Sequence, residues 1–130
     1  MFRCAIYTNK SESNVVDTET QRLACQDFAV KSGFTVLEKR YDDFCEESIP
    51  ALKRPAMQKL FDDIETCEVE YVISYALDCV TKSASELAKI LRLFDGYRIF
   101  FFDLYPAEFS ANGKQCGYAT AIGSFMNKEK

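Results

Sequence analysis

The sequence predicts an α/β domain in which a mostly parallel sheet of about four strands lies between two layers of helices. Three observations predict this three-layer fold. Short apolar runs alternate with amphipathic segments of helical period, most helical segments carry a start or stop signal, and polar residues follow the apolar runs. Strands that alternate with helices are joined by right-handed crossovers, which make neighbouring strands parallel. At 130 residues, we expect a single domain over 1–130.

The first half of the chain predicts two strands and two helices. FRCAIY predicts the first strand and FTVLEKRY the second. Between them, TETQRLACQDFAVKSG predicts a helix that begins with a capping box of Thr18 and Gln21 and ends at Gly33. DDFCEESIPALK is expected to be a polar loop. RPAMQKLFDDIETC predicts the second helix, because Pro55 suits a first helical turn and apolar residues then recur at helical spacing.

The second half predicts two more strands and two more helices. YVISYA is continuously apolar, which suits a central strand in a sheet covered on both faces. LDCVTKSASELAKILRLFDGY predicts a third helix, with Ser83 and Glu86 spaced as a capping box. RIFFFDL predicts the fourth strand, YPAEFSANGKQCG a loop, and YATAIGSFMNKEK the start of a last helix.

Composition excludes several kinds of site. The chain has no histidine, which removes Ser-His-Asp and Cys-His nucleophiles and HExxH zinc sites. Its six cysteines are scattered and form no CxxC, so we expect unpaired, mostly buried thiols and neither a metal nor a cofactor. No stretch approaches the roughly 18 apolar residues of a membrane span, and no secretory signal pattern opens the chain. We therefore expect a cytoplasmic protein without membrane contact.

Polar residues follow each predicted strand. They lie within the ranges 8–11, 42–47 and 78–82, and in the segment after Asp103. In open parallel sheets, binding sites lie at the carboxyl ends of the strands. We therefore expect residues from these segments to meet at one edge of the sheet.

Five segments, in order, resemble the catalytic domain of the serine recombinases of the resolvase and invertase type, including the large serine integrases. They are RCAIYTNKS, TQRLACQDFAVKSGF, YDDFCEES, RPAMQKLFDDIE and LDCVTKS. The resemblance places Tyr7 and Ser11 in the family's Tyr-x-Arg-x-Ser motif, Arg54 in its Arg-Pro helix start, and Asp78 in its Asp-Arg-Leu-Ser-Arg turn. It implies that Ser11 is the nucleophile position for attack on DNA phosphodiesters. Tyr7, Arg54 and Asp78 are then implied members of the same catalytic site.

The chain departs from this family pattern at three arginine positions. Asn9 stands two residues before Ser11, Cys79 follows Asp78, and Lys82 takes the place of the second arginine of the turn. Arginine suits the negative charge that develops when a phosphodiester is attacked, and one preorganised donor is worth about 10² to 10³ in rate. We therefore expect a degenerate site, with catalysis impaired or absent.

Other residues are candidates for phosphate contact. Lysine also binds phosphate as a point charge, so Lys10 and Lys82 are able to replace part of the missing arginine charge. Gln21 is a further candidate. The resemblance implies DNA as the substrate, a homodimer formed through the C-terminal helix, and a DNA-binding region outside this chain. The net charge of −4 predicts that the chain alone binds DNA weakly.

Two alternatives stay open. The first is a dimerisation or interaction module that joins a recombination or mobile-element assembly without cutting DNA. The second is a phosphoryl-receiver-like or magnesium-binding α/β domain that uses Asp42, Asp43 and Asp78. The acidic residues of the range 42–47 are otherwise expected to form a solvated loop.

Overall fold

The computed structural model describes residues 2–12, 16–66 and 69–105. The strands are β1 (Arg3–Asn9), β2 (Thr35–Val36), β3 (Tyr41–Asp43), β4 (Tyr71–Ala76) and β5 (Phe100–Tyr105). The helices are α1 (Thr18–Lys31), α2 (Pro55–Glu65), α3 (Leu77–Val80) and α4 (Ala84–Gly96), with a 3-10 turn at Ala51–Lys53. The predicted last helix and the loop before it lie outside this part of the chain. In the part that is described, no helix has the length and apolar character to cross a membrane.

The strands form one parallel sheet in the order β2-β1-β4-β5, and β3 also pairs with β1. Every strand pairing is parallel. The apolar strand β4 lies between β1 and β5, which confirms its predicted central position. The predicted α/β architecture is therefore confirmed, with five strands in the described residues where the sequence predicted about four.

The additional strand arises because the predicted segment FTVLEKRY is broken. β2 pairs with the start of β1, where Arg3 faces Thr35, and β3 pairs with its end, where Asn9 faces Asp43. The segment from Thr35 to Asp43 is two residues longer than the segment of β1 from Arg3 to Asn9, so a single strand could not pair with β1 in a continuous register. As a result, residues 42 and 43 are strand residues, which corrects the expectation of a solvated loop there.

Most helix signals are confirmed. Pro55 is the first residue of α2. Ser83 is the N-cap of α4, and its hydroxyl accepts a hydrogen bond from the Glu86 amide at 3.2 Å. Gly33 follows the end of α1 with a φ of 83°, a left-handed conformation that costs glycine little. Local capping chemistry therefore determines these boundaries.

Two helix predictions were wrong in detail. The N-cap of α1 is Asp17, whose carboxylate accepts from the Thr20 amide at 2.7 Å, so the capping box of Thr18 and Gln21 does not form. The third predicted helix is two helices, α3 and α4. The chain is extended between them at Thr81, the C-cap of α3.

Both faces of the sheet are apolar. One face packs against α2, α3 and α4 through residues that include Tyr7, Met57, Leu77 and Leu87. The other face packs against α1, and this layer contains Cys4 of β1 and Cys25 of α1. The described cysteines are free, as predicted, and burial raises the pKa of Cys4 to about 11 and that of Cys25 to about 12. These two thiols stay protonated at neutral pH and act as core residues.

Candidate active site

The carboxyl ends of β1 and β4 bring the predicted site segments to one edge of the sheet. β1 leads into Ser11, and the neighbouring β4 leads into α3, which contains Asp78. Ser11 is buried with 7% of its surface exposed, whereas Asp78 is exposed. Arg54 lies immediately before α2 and contacts both β1 and α3. The segments that contain the predicted nucleophile, arginine and aspartate are therefore side by side.

The Arg54 guanidinium is buried and bonded to the protein. Nη1 donates to the Cys79 carbonyl at 3.0 Å and to the Tyr7 hydroxyl at 3.4 Å, and Nε donates to the Ile49 carbonyl at 3.1 Å. Only 2% of the residue is exposed. Arg54 thus ties β1, α3 and the loop before α2 together.

Asp43 anchors this edge, a role that the sequence interpretation missed. Its carboxylate accepts hydrogen bonds from the Tyr7 hydroxyl at 2.8 Å and from the amides of Ala56 at 2.9 Å and Met57 at 3.2 Å. Burial raises the pKa of Tyr7, so the phenol stays protonated and acts as a donor. One feature of the sequence could have indicated this role: α2 begins after Arg54, whose side chain does not accept hydrogen bonds from the first amides of the helix. A carboxylate from elsewhere in the chain was therefore needed.

Asn9 is a structural clamp rather than an empty arginine position. Its carboxamide donates to the Cys45 carbonyl at 3.2 Å and accepts from the Cys45 amide at 2.9 Å. The Asn9 backbone pairs with the Gln21 side chain through bonds of 3.2 and 2.9 Å. Gln21 is fully buried and also donates to the Val16 carbonyl, so it belongs to the scaffold and not to a phosphate site. We call the paired Asn9 and Cys45 the Asn9 clamp.

The other substituted positions carry little free positive charge. Cys79 is buried, and desolvation raises its pKa to about 11, so it is a neutral thiol. Lys82 is exposed and forms an ion pair with Glu47, whose hydrogen bond raises the pKa of Lys82. The Lys10 ammonium donates to the Ser11 carbonyl at 3.0 Å. Of the three substituted positions, only Lys82 provides a cation, and a carboxylate contacts it.

A depression of about 490 Å³ next to Ser11 is acidic. It is lined by Glu12, Glu46, Glu47 and Ser48. Among the residues that the structure describes, this lining contains three carboxylates and no basic side chain. Its field disfavours the approach of a phosphate backbone.

The aspartates of the magnesium-binding alternative do not converge. Asp43 uses its carboxylate on the start of α2, as described above. Asp42 accepts from the Thr8 hydroxyl at 2.6 Å and from the Arg40 guanidinium at 2.7 Å, and Asp78 lies exposed on α3. Across the described ranges, no group of three or more metal-binding side chains is present. These contacts give the acids structural roles in place of a shared cation site.

The family comparison agrees with this arrangement. The model of the resolvase N-terminal domain matches residues 4–126. Among solved structures, the N-terminal catalytic domain of TP901-1 integrase is 26% identical, with a TM-score of 0.63. That match covers 98% of this chain and 95% of the integrase domain. A comparison with curated proteins gives no match.

Two further structures share the fold. The C-terminal catalytic domain of ISC1926 TnpA, an IS607-like serine recombinase, has a TM-score of 0.62 and 17% identity over 97% of each chain. A resolvase family site-specific recombinase from Streptococcus pneumoniae has a TM-score of 0.62 and 14% identity, over 99% of this chain and 88% of that one. Because the family model spans nearly all of the sequence, and the fold agrees with it, this chain belongs to the resolvase N-terminal domain family of serine recombinases.

Proposed function

We propose that this serine recombinase domain keeps the nucleophile position at Ser11 but is impaired or inactive in DNA strand cleavage. The observation that carries the proposal is the use made of the family's arginine positions. Asn9 and Cys79 are buried parts of the scaffold, and Lys82 is paired with Glu47. Attack on a phosphodiester requires fixed positive groups where negative charge develops. The described residues near Ser11 provide few such groups.

The remaining arginine and the serine itself support the same proposal. Arg54 donates to carbonyl and hydroxyl partners through Nε and Nη1 and is 2% exposed, so little of its guanidinium faces solvent. Ser11 is 7% exposed and lies beside the acidic depression. A bound DNA strand would therefore meet carboxylates before it met the guanidinium.

The substrate class and assembly remain proposals from the family. We propose that DNA is the ancestral substrate, that residues 1–130 form one catalytic domain, and that the chain dimerises through its C-terminal helix. We propose that it needs no cofactor or metal and works in the cytoplasm. The net charge of −4 supports weak DNA binding by this chain alone.

A second candidate is a non-catalytic interaction module in a recombination or mobile-element assembly. The observation that favours it is the Asn9 clamp together with the buried Cys79, because both positions now stabilise the domain instead of holding phosphate. Such a domain would retain its fold and its partner contacts without chemistry. An active Ser11 would exclude this reading.

The test is an assay for a covalent serine-DNA adduct. The chain is incubated at high concentration with a suicide duplex and resolved on a denaturing gel, with an intact serine recombinase on its own site as the positive control. We expect no adduct from the parent chain and none from Ser11→Ala. A parent adduct that Ser11→Ala abolishes would show that Lys10, Lys82 and Arg54 suffice, and our proposal would be wrong.

A further inference from the structure

The segment 44–50, which we call the acidic strap, crosses the carboxyl edge of the sheet. Near each end, its backbone is hydrogen-bonded to a buried side chain of the domain. At its start, the Asn9 clamp holds the Cys45 backbone at 2.9 and 3.2 Å. Near its end, Arg54 donates to the Ile49 carbonyl at 3.1 Å. Both contacts use a buried side chain on the domain side, so the ends of the strap are firmly attached.

The middle of the acidic strap is attached differently. Glu47 forms an ion pair with Lys82, on the extended segment between α3 and α4. The two side chains are 37% and 50% exposed, so water and salt screen this pair. The strap thus has firm ends and a weak, charged contact between them.

The acidic strap lies next to the predicted nucleophile. Glu12, the neighbour of Ser11, forms one part of the depression described above, and Glu46, Glu47 and Ser48 of the strap form the rest. Ser11 itself is 7% exposed. The strap is therefore one wall of a depression whose other described wall is Glu12, the residue after Ser11.

We propose that the acidic strap is a cover over the site and that Glu47 is its latch. Lys82 stands at one of the family's arginine positions. The Glu47 carboxylate pairs with its ammonium group in the way that an oxygen of a phosphate ligand would. Breaking this ion pair frees Lys82 and lets the middle of the strap move between its fixed ends. The inference does not depend on the activity of Ser11, because opening of the strap is measurable without cleavage.

Cys45 reports the opening through its side chain, because its backbone stays in the Asn9 clamp while movement of the adjoining residues 46–48 changes the exposure of its thiol. It lies on the strap, its thiol is free, and it is only partly buried. Trypsin releases it in the peptide YDDFCEESIPALK, residues 41–53, where it is the single cysteine. The extent of maleimide labelling of this peptide, followed over time by mass spectrometry, gives the rate for Cys45 in the intact folded chain. Cys4, Cys25 and Cys79 are buried and serve as slow internal references.

We expect Glu47→Gln to raise the labelling rate of Cys45 about two- to fivefold, the range that corresponds to an exposed ion pair. Lys82→Gln should give a similar increase, and the double variant should add little to either, since both remove one contact. Raising the salt concentration should speed labelling in the parent and not in Glu47→Gln.

Glu46→Gln is the matched control, because it removes the same charge directly beside Cys45 and leaves the pair of Glu47 with Lys82 intact. It separates release of the latch from a simple change in thiolate fraction. Far-UV circular dichroism checks that each variant is folded. If Glu47→Gln labels no faster than Glu46→Gln, or if the effects of Glu47→Gln and Lys82→Gln simply multiply, the latch does not exist and the proposal is overturned.

Discussion

Asn9 occupies a position where the interior of this chain holds a short amide in place of the family's arginine. Its carboxamide fits between β1 and the backbone of Cys45, and 2% of its surface is exposed. An arginine there would lose both hydrogen bonds and would need to carry its charge out of the protein. Cys79, which is 3% exposed, presents the same difficulty. Lys82 differs, because its side chain already reaches solvent.

Replacing Asn9 with arginine is therefore expected to destabilise the domain rather than repair it. We predict that Asn9→Arg lowers the free energy of unfolding by about 2 to 4 kcal/mol, through two lost, partly buried hydrogen bonds and a guanidinium placed where 2% of the native residue is exposed. Lys82→Arg, at another of the family's arginine positions, should stay within about 0.5 kcal/mol of the parent. Urea unfolding curves of the two variants provide the measurement. Equal stability of both would mean that position 9 tolerates arginine and that the clamp is dispensable.

The link between β3 and α2 is the clearest feature at the scale of elements. Asp43 of β3 accepts amides from the first turn of α2, where a negative charge also favours the helix dipole. At the other end of α2, the Tyr41 hydroxyl donates to Asp63 at 2.6 Å. A strand of three residues is thus held by both ends of an eleven-residue helix.

Removing the charge of Asp43 tests this link. We predict that Asp43→Asn lowers the free energy of unfolding by about 1 to 3 kcal/mol, because one acceptor oxygen becomes a donor that cannot satisfy its partners. Asp62→Asn, on the exposed side of α2, removes the same charge and should have little effect. Thermal and urea unfolding of the two variants give the difference. A loss of similar size in both would indicate an effect of net charge and not of this contact.

Elements with local signals were predictable from the sequence, and contacts between distant residues were not. Pro55 and Ser83 start α2 and α4 through chemistry within a few residues. The break in FTVLEKRY depends instead on the pairing with β1, because β2 pairs with the start of that strand and Asp43 pairs with its last residue. The acceptor for the start of α2 is likewise thirteen residues from Ala56, and no local pattern marks it.

At the scale of the whole molecule, charge opposes the family's usual substrate. The chain has 20 acidic and 16 basic residues, and acidic side chains line the depression beside Ser11. Parallel strands explain why the segments of Ser11 and Asp78 could be predicted to lie together. The burial of Arg54 could not be predicted, because its partners come from three separate segments.

We predict no submicromolar binding of this chain to duplex DNA at physiological salt, since acidic residues outnumber basic ones and three carboxylates line the depression that Glu12 borders. Fluorescence anisotropy with a labelled duplex, repeated over a series of salt concentrations, measures this. The combined variant Glu46→Gln with Glu47→Gln should raise low-salt binding modestly, because it removes repulsion at the site. Tight binding by the parent that weakens steeply with salt would contradict the prediction.

The Asn9 clamp also has an evolutionary consequence. A single change that returns arginine to position 9 would lower stability at once, while any gain in cleavage would require position 79 to change as well. Natural proteins have only a small margin of stability, so such an intermediate would be removed before the second change arose. For a chain with this interior, the return of arginine to positions 9 and 79 is therefore prevented by the loss of folding stability, which comes before any gain in cleavage.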